Sequence, residues 1–134
     1  AVVACVTGEG SFMMNMQELS TCLQYGLPIK IINLNNQALG MVKQWQDMNY
    51  EGRYSHSLYE ESLPDFIKLA EAYGHVGMKV TRFEDLEARL EECFAMKDEL
   101  VFMDIYVDPT EHVYPMLGPE ASMRDMWVSK TERT

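Results

Sequence analysis

The segment Val2–Ser11, VVACVTGEGS, indicates the fold class of this chain. It begins with a short continuous apolar run, which is typical of a strand buried on both faces of a parallel sheet. It ends in a glycine-rich turn. Domains rarely begin with such a strand, so the sequence also predicts that the chain is a piece of a longer protein.

Beyond this segment, the sequence alternates between strand and helix patterns. Asn15 and Glu18 resemble a capping box at the start of a helix, and Pro64 is expected at the first position of a later one. The predicted elements are strands at Ile29–Leu34, Val76–Val80 and Leu100–Val107 and helices at Asn15–Tyr25, Leu39–Met48, Pro64–Tyr73 and Glu84–Met96.

This alternation predicts an α/β fold, with a parallel sheet, flanking helices and right-handed crossovers. In the helix at Glu84–Met96, Leu86, Leu90 and Phe94 are expected to face inward and the acidic side chains outward. Ligands of such folds bind at the carboxyl ends of the strands. The residues directly after each strand are therefore the candidates for a site.

The composition argues against several classes of partner. The 134 residues include 21 Asp and Glu against 11 Lys and Arg, which gives a formal net charge of −10. Binding to a nucleic acid or an anionic membrane depends on a basic patch, so neither is predicted. No apolar run approaches the roughly 18 residues of a membrane span, and we expect a soluble, cytoplasmic protein. Cys5, Cys22 and Cys93 form no C-x-x-C pair and are expected to be buried, reduced thiols.

Two predicted loops, Gly8–Ser11 and Asn35–Gly40, follow the first two strands. Parallel neighbours would place both loops at one edge of the sheet, with the Glu9 carboxylate near an Asn amide. With a backbone carbonyl and phosphate oxygens, these groups are the usual ligands of Mg²⁺. The glycines let backbone N–H groups approach an anion closely. Each loop alone is no more than a turn pattern, but the pair predicts a Mg²⁺ site that binds a diphosphate.

The same two loops resemble the thiamine-diphosphate signature, which is Gly-Asp-Gly followed at this separation by a double Asn. Further segments are similar to the catalytic subunit of acetohydroxyacid synthase, also called acetolactate synthase, and the last nine residues resemble the C-terminus of its bacterial biosynthetic forms. These segments are Met14–Leu19, Leu39–Gln46, Tyr54–His56, Pro64–Ala70, His112–Met116 and the ending Met126–Thr134. The resemblance therefore covers nearly the whole chain.

The resemblance implies roles for individual residues. It assigns the Mg²⁺ ligands to Glu9, Asn36 and the main-chain carbonyl of Ala38. Met41 and Val42 match positions near the rings of the cofactor, and Trp45 matches a tryptophan of the substrate channel that inhibitors also contact. On pattern alone, Val42 and Trp45 equally fit a helix face in the core. The remaining cofactor contacts fall on Gly8, Gly10, Ser11, Leu39 and Gly40.

Glu9 departs from the family, which has Asp at this position. Glutamate keeps the charge but adds one methylene, and Mg²⁺ tolerates distorted octahedral geometry poorly. We expect Glu9 still to bind the metal, with weaker affinity for the cofactor than an Asp variant would have.

The resemblance also implies what the parent enzyme does. It would decarboxylate pyruvate and condense the two-carbon unit with pyruvate or 2-oxobutanoate, in valine, leucine and isoleucine biosynthesis. It would bind FAD outside this segment, form a homodimer or tetramer and accept a small regulatory subunit. No catalytic residue is assigned here, because the cofactor-activating glutamate belongs to another domain. We therefore expect this segment of a bacterial transferase to be inactive alone.

The predicted organisation is a partial thiamine-diphosphate-binding (pyrophosphate) domain at residues 1–108 and a proline-punctuated tail at 109–134, which would act as an active-site lid. His112 in this tail has no carboxylate at a readable spacing, so no triad is predicted. Two other interpretations stay open. The chain could come from another thiamine-diphosphate enzyme of the pyruvate oxidase or glyoxylate carboligase type, or it could be a non-catalytic fragment that binds a diphosphate or a protein partner.

Overall fold

A computed structural model of the chain describes residues 1–59, 61–119 and 121–132. The strands are β1 (Ala4–Gly8), β2 (Lys30–Asn35), β3 (Val76–Val80) and β4 (Val101–Tyr106), and the helices are α1 (Glu9–Met13), α2 (Glu18–Gln24), α3 (Gly40–Asn49), α4 (Phe66–Ala72) and α5 (Leu86–Ala95). A single 3₁₀ turn, Phe83–Asp85, precedes α5.

The four strands form one parallel sheet in the order β1-β2-β4-β3. The predicted α/β class and the parallel sheet with flanking helices are therefore confirmed. The last strand is inserted between β2 and β3, so the two most buried strands, β2 and β4, lie at the centre of the sheet.

The chain divides into two compact units. Unit 1 consists of Ala1–Ala38 and Tyr59–Asp108 and contains the sheet, whereas unit 2 consists of Leu39–Leu58 and Pro109–Thr134 and contains α3. The assignment of 1–108 as a domain and 109–134 as a lid stays a prediction.

Unit 1 has apolar layers on both faces of its sheet. On one face, Phe12 of α1 and Phe66 of α4 pack on Phe102 of β4, with ring centroids 4.5 Å and 5.6 Å from it. On the other face, Cys93 of α5 is fully buried with residues of β3 and β4. Each layer removes a continuous apolar surface from water, which is the main source of stability in such a fold.

Helix α4 approaches β3 unusually closely at Gly77. A Cβ atom built on Gly77 would lie 2.7 Å from Cγ2 of Ile67 and 3.0 Å from its backbone oxygen. No side chain fits at this point without a shift of the helix.

Several local expectations are wrong. Strand β1 is an edge strand, and its residues Ala4–Val6 are exposed rather than buried on both faces. The expected turn after it is the short helix α1, which begins at Glu9. Cys5 is exposed as well, since it belongs to this edge strand, and Cys22 is half-buried, so only Cys93 fits the prediction of buried thiols. In α5, Phe94 is 39% exposed, because the adjacent Cys93 is the residue that turns toward the core.

Two helix starts also differ from the sequence prediction. No capping box forms at Asn15, because α2 begins at Glu18 and Gln17 occupies its N-cap without a side-chain hydrogen bond. Helix α4 begins at Phe66 rather than Pro64, because the carboxylate of Asp65 accepts the N–H groups of Ile67 and Lys68 at 3.1 Å and 3.2 Å. Asp65 is thus the N-cap of α4, a role that the sequence analysis did not assign to it.

None of the helices in the described residues could span a membrane.

Candidate cofactor-binding site

The carboxyl ends of β1 and β2 lie side by side and bring the three predicted metal-binding residues together. Gly8, the last residue of β1, is the register partner of Leu34 in β2. Glu9 follows Gly8 directly, and its Oε1 accepts the backbone N–H of Ala38 at 2.9 Å. Asn36 Oδ1 accepts the same N–H at 3.2 Å. A carboxylate oxygen and an amide oxygen therefore meet at one backbone position, as the parallel sheet predicts.

Glu9 is only 1% exposed, and its electrostatic surroundings are unusual for a surface turn. Burial raises the pKa of the Glu9 carboxyl above its ordinary value, against backbone hydrogen bonds from Glu9 itself, Ala38, Asn36 and Gln37, which lower it. A bound cation would stabilise the charged carboxylate in this position.

These donor atoms fit Mg²⁺ in type. Magnesium prefers hard oxygen ligands and usually takes one or two carboxylates together with substrate phosphates. The carboxylate of Glu9, the amide oxygen of Asn36 and the backbone carbonyl of Ala38 provide such a set. No cluster of three or more His, Cys, Asp or Glu side chains suited to a metal occurs in the described residues, so these oxygens would need phosphate and water to complete a coordination shell.

The other predicted cofactor contacts lie in both units. In unit 1, Gly8 is the N-cap of α1, Gly10 is half-buried, and Ser11 lines a cavity of about 270 Å³ with Thr7 and Asn15. In unit 2, the N–H of Leu39 donates to the carbonyl of Ser57 at 2.8 Å, and α3 begins at Gly40.

The three predicted ring and channel residues belong to α3 of unit 2. Met41 and Val42 are each 45% exposed, so this helix does not bury them in a core. Trp45 is half-buried and lines a cavity of about 740 Å³ within unit 2. The exposure of Val42 removes the alternative in which it is a core residue of unit 2.

Comparison with known proteins places this chain in a family. The family model described as thiamine pyrophosphate enzyme, C-terminal TPP binding domain, matches residues 1–105. The chain belongs to this family. Thiamine pyrophosphate and thiamine diphosphate are the same cofactor.

Curated relatives of this thiamine-diphosphate-binding domain are large subunits of acetolactate synthase. The Escherichia coli K12 isozyme 3 large subunit is 58% identical over 134 residues, which cover 98% of this chain and 23% of that protein. The large subunit from Haemophilus influenzae is 58% identical over 97% of the chain and 22% of its own length. That from Cyanidium caldarium is 43% identical over 93% of the chain and 21% of its own length. The chain thus spans less than a quarter of these relatives.

Sequence reasoning missed a charged cluster in unit 2 of the domain. The carboxylate of Asp47 lies 2.8 Å from Lys43 Nζ, 2.5 Å from the Tyr54 hydroxyl and 2.8 Å from His112 Nε2. The i, i+4 pair of Lys43 and Asp47 is readable on a helix. His112 has no carboxylate at a readable spacing in the sequence, but Asp47, 65 positions away in the chain, is its neighbour in the fold. His75, by contrast, is buried in unit 1, with Nε2 2.9 Å from the carbonyl of Leu19.

Proposed function

We propose that this domain is the C-terminal segment of an acetolactate synthase large subunit. The parent enzyme would decarboxylate pyruvate and condense the two-carbon unit with pyruvate or 2-oxobutanoate. The observation that carries the proposal is the convergence of Glu9 Oε1 and Asn36 Oδ1 on the N–H of Ala38, in a chain 58% identical to such subunits over nearly its whole length. The cofactor, when bound, supplies the electron sink for decarboxylation.

The residues of this chain would bind and orient the cofactor. Glu9, Asn36 and the carbonyl of Ala38 would hold Mg²⁺, which in turn would hold the diphosphate. Met41 and Val42, exposed on α3, would contact the cofactor rings, and Trp45 would line the path of the substrate. Backbone contacts to the diphosphate would come from Gly8, Gly10, Ser11, Leu39 and Gly40.

The rest of the active site would come from outside this segment. The relatives are more than four times as long as the chain, and we propose that their remaining length supplies the cofactor-activating glutamate and the FAD site. The complete subunits would form a homodimer or tetramer in the bacterial cytoplasm and accept a small regulatory subunit. The chain alone would accordingly be inactive.

The test uses the complete subunit, with thiamine diphosphate and Mg²⁺ titrated by tryptophan fluorescence and acetolactate measured as product. Asn36→Ala should weaken Mg²⁺-dependent cofactor binding about tenfold or more, as the loss of a metal ligand does. Gln24→Ala, which removes an exposed amide from α2 of unit 1, is the matched control. Oxygen uptake or carboligation of glyoxylate in place of acetolactate formation would contradict the proposal and identify a different thiamine-diphosphate enzyme.

We also propose that the tail at 109–134 closes when the cofactor binds. In the structure, this tail contacts α3 of unit 2: Gln44 Nε2 donates to the carbonyl of Val113 at 3.0 Å, and Val113 N–H donates to Gln44 Oε1 at 2.8 Å. Saturating cofactor should then protect the tail of the complete enzyme from protease. Equal cleavage rates with and without cofactor would exclude a lid.

A further inference from the structure

A row of polar side chains crosses the sheet of unit 1 at a single level. Thr7 of β1, Asn33 of β2, Asp104 of β4 and Lys79 of β3 are register partners in adjacent parallel strands. Asn33 is 0% exposed and Asp104 is 3% exposed. A carboxylate in the middle of a sheet has lost nearly all contact with water, which is costly unless protein groups replace its hydration.

Two amides replace that hydration. Asn33 Nδ2 donates to Asp104 Oδ1 at 2.7 Å, and Asn35 Nδ2 donates to Oδ1 and Oδ2 at 3.1 Å and 3.3 Å. The Oδ1 atom of Asn33 is a buried polar atom without a hydrogen-bond partner in the described part of the chain. Since buried polar clusters of this kind are often less stable than apolar replacements, stability alone does not explain Asp104.

Asp104 decides how the side chain of Asn35 is oriented. An asparagine amide has a donor end and an acceptor end, and both carboxyl oxygens of Asp104 accept hydrogen bonds from amide nitrogens. Asp104 therefore requires the Nδ2 end of Asn35 and leaves the Oδ1 end free for another partner. That partner is the backbone N–H of Gln37, which donates to Asn35 Oδ1 at 3.1 Å.

The hydrogen bond to Gln37 shapes the loop that carries the predicted metal ligands. Gln37 has φ +60°, in the left-handed region that a non-glycine residue occupies only when its surroundings hold it there. Its carbonyl accepts the N–H of Tyr59 at 3.1 Å, so the peptide groups on both sides of Gln37 are held by hydrogen bonds. The bend at Gln37 separates Asn36 from Ala38, so it determines where their oxygen atoms point.

We propose that Asp104 is a positioning residue for the loop at Asn36–Ala38, acting through Asn35 and the left-handed backbone of Gln37 to place the oxygens that bind Mg²⁺. The inference rests on the proposed Mg²⁺ site. Asp104 itself touches neither metal nor cofactor. It acts as the outer partners of metal ligands do, by restricting a flexible group to one orientation before the metal arrives.

The test compares four forms of the complete subunit: the parent sequence, Asp104→Asn, the exchange variant Asn35→Asp/Asp104→Asn, and Asp98→Asn. The exchange variant moves the carboxylate to position 35 and the amide to position 104. Each hydrogen bond in the series that links Asn33, position 104, position 35 and the N–H of Gln37 can then still form. Asp98 is exposed in the same unit and controls for the loss of one negative charge. The readout is the Mg²⁺ concentration that half-saturates thiamine diphosphate binding, followed by tryptophan fluorescence, with the KM for pyruvate measured at saturating cofactor.

We expect Asp104→Asn to raise the half-saturating Mg²⁺ concentration by about 10–100-fold, the range for partners that orient a metal ligand. The exchange variant should recover most of that loss, Asp98→Asn should bind as the parent does, and the KM for pyruvate should change by less than about twofold. A purely structural role would lower the unfolding temperature of Asp104→Asn without changing its Mg²⁺ dependence.

Several outcomes would contradict the positioning role of Asp104. Unchanged Mg²⁺ dependence in Asp104→Asn would overturn the proposal, and so would an exchange variant that is misfolded or binds as weakly as Asp104→Asn. If Asp104→Asn does not fold, the exchange variant decides alone: binding near the parent value supports the proposal, and binding about tenfold weaker overturns it. A parent subunit that binds cofactor without Mg²⁺ would instead refute the proposed metal site.

Discussion

His112 Nε2 lies 2.8 Å from Oδ2 of Asp47, although 65 positions separate the two residues in the chain. Asp47 belongs to α3, Tyr54 to the loop that follows, and His112 to the tail, so one carboxylate joins three segments of unit 2. Lys43 adds an ion pair to the same carboxylate at 2.8 Å. Asp47 therefore connects three segments of a unit that contains a single helix in its described residues.

Replacement of Asp47 by Asn should destabilise unit 2. The substitution keeps the shape of the side chain but removes the charge that Lys43 pairs with, and hydrogen bonds to charged groups contribute about 1.5–3 kcal/mol. We expect a loss of about 2 kcal/mol in the free energy of unfolding, measured by urea titration. Glu51→Gln is the control, since Glu51 lines the same unit 2 cavity as Asp47 and Trp45 but is exposed. Equal losses in both variants would show that the cluster contributes nothing specific.

Acid should remove the stabilisation that Asp47 provides. Burial raises the pKa of the Asp47 carboxyl, but hydrogen bonds from Lys43, Tyr54 and His112 outweigh it and hold the pKa well below the ordinary value of 3.8. A carboxyl with a lowered pKa stabilises the folded state fully above its unfolded value and loses this contribution as the pH falls through the folded value. The difference in unfolding free energy between the parent chain and Asp47→Asn should therefore be present at pH 6 and shrink as the pH falls below 3.8. A difference that grows in acid would contradict this assignment.

Replacement of Lys30 by Met should destabilise unit 1. Lys30 is 1% exposed, and its Nζ donates to the carbonyl of Met96 at 2.5 Å and to that of Glu99, just beyond the end of α5. Methionine would fill similar space but leave both carbonyls without this donor and remove a positive charge from the C-terminus of the helix. We expect a loss of about 2 kcal/mol in the free energy of unfolding by urea.

Lys68→Met provides the comparison for Lys30. Lys68 is 81% exposed in its pair with Asp65, and exposed ion pairs contribute little. A Lys30→Met variant no less stable than Lys68→Met would show that the buried ammonium group is dispensable.

Replacement of Glu9 by Asp should tighten cofactor binding. Aspartate keeps the charge and shortens the side chain by one methylene, which matches the residue that the family signature has at this position and suits the strict octahedral geometry of Mg²⁺. The complete subunit carrying Glu9→Asp should half-saturate with thiamine diphosphate at a lower Mg²⁺ concentration. Glu9→Gln, which lacks the charge, should require more Mg²⁺. Weaker binding by the Asp variant would mean that the longer side chain is adapted to this loop.

The sequence predicted what depends on local pattern and on the geometry of neighbouring strands. Apolar runs located all four strands to within one or two residues, and the meeting of Glu9 with Asn36 followed from the rule that parallel strands end at one edge. The position of β4 between β2 and β3 was not predictable, because strand order depends on contacts between distant segments.

Other functional residues could not be predicted from the sequence for the same physical reason. Asp104 lies in the middle of an apolar strand, and its partners Asn33 and Asn35 become its neighbours only once β2 and β4 are in register. His112 and Asp47 likewise meet only in the folded unit. By contrast, the exposure of Glu87, Glu91 and Glu92 on α5 followed directly from helical periodicity and is confirmed.

The exposed edge strand β1 has a consequence for handling this chain in isolation. Val6 of β1 is 67% exposed, and Val2 and Val3 just before the strand are 67% and 56% exposed. Among the described residues, β1 has a strand partner on one side only. An apolar strand with free N–H and C=O groups is a template for pairing with other chains. The net charge of −10 opposes such pairing at neutral pH. Near the isoelectric point of about 4.6 this repulsion vanishes. The edge strands of neighbouring molecules should then pair, and the solution should turn turbid.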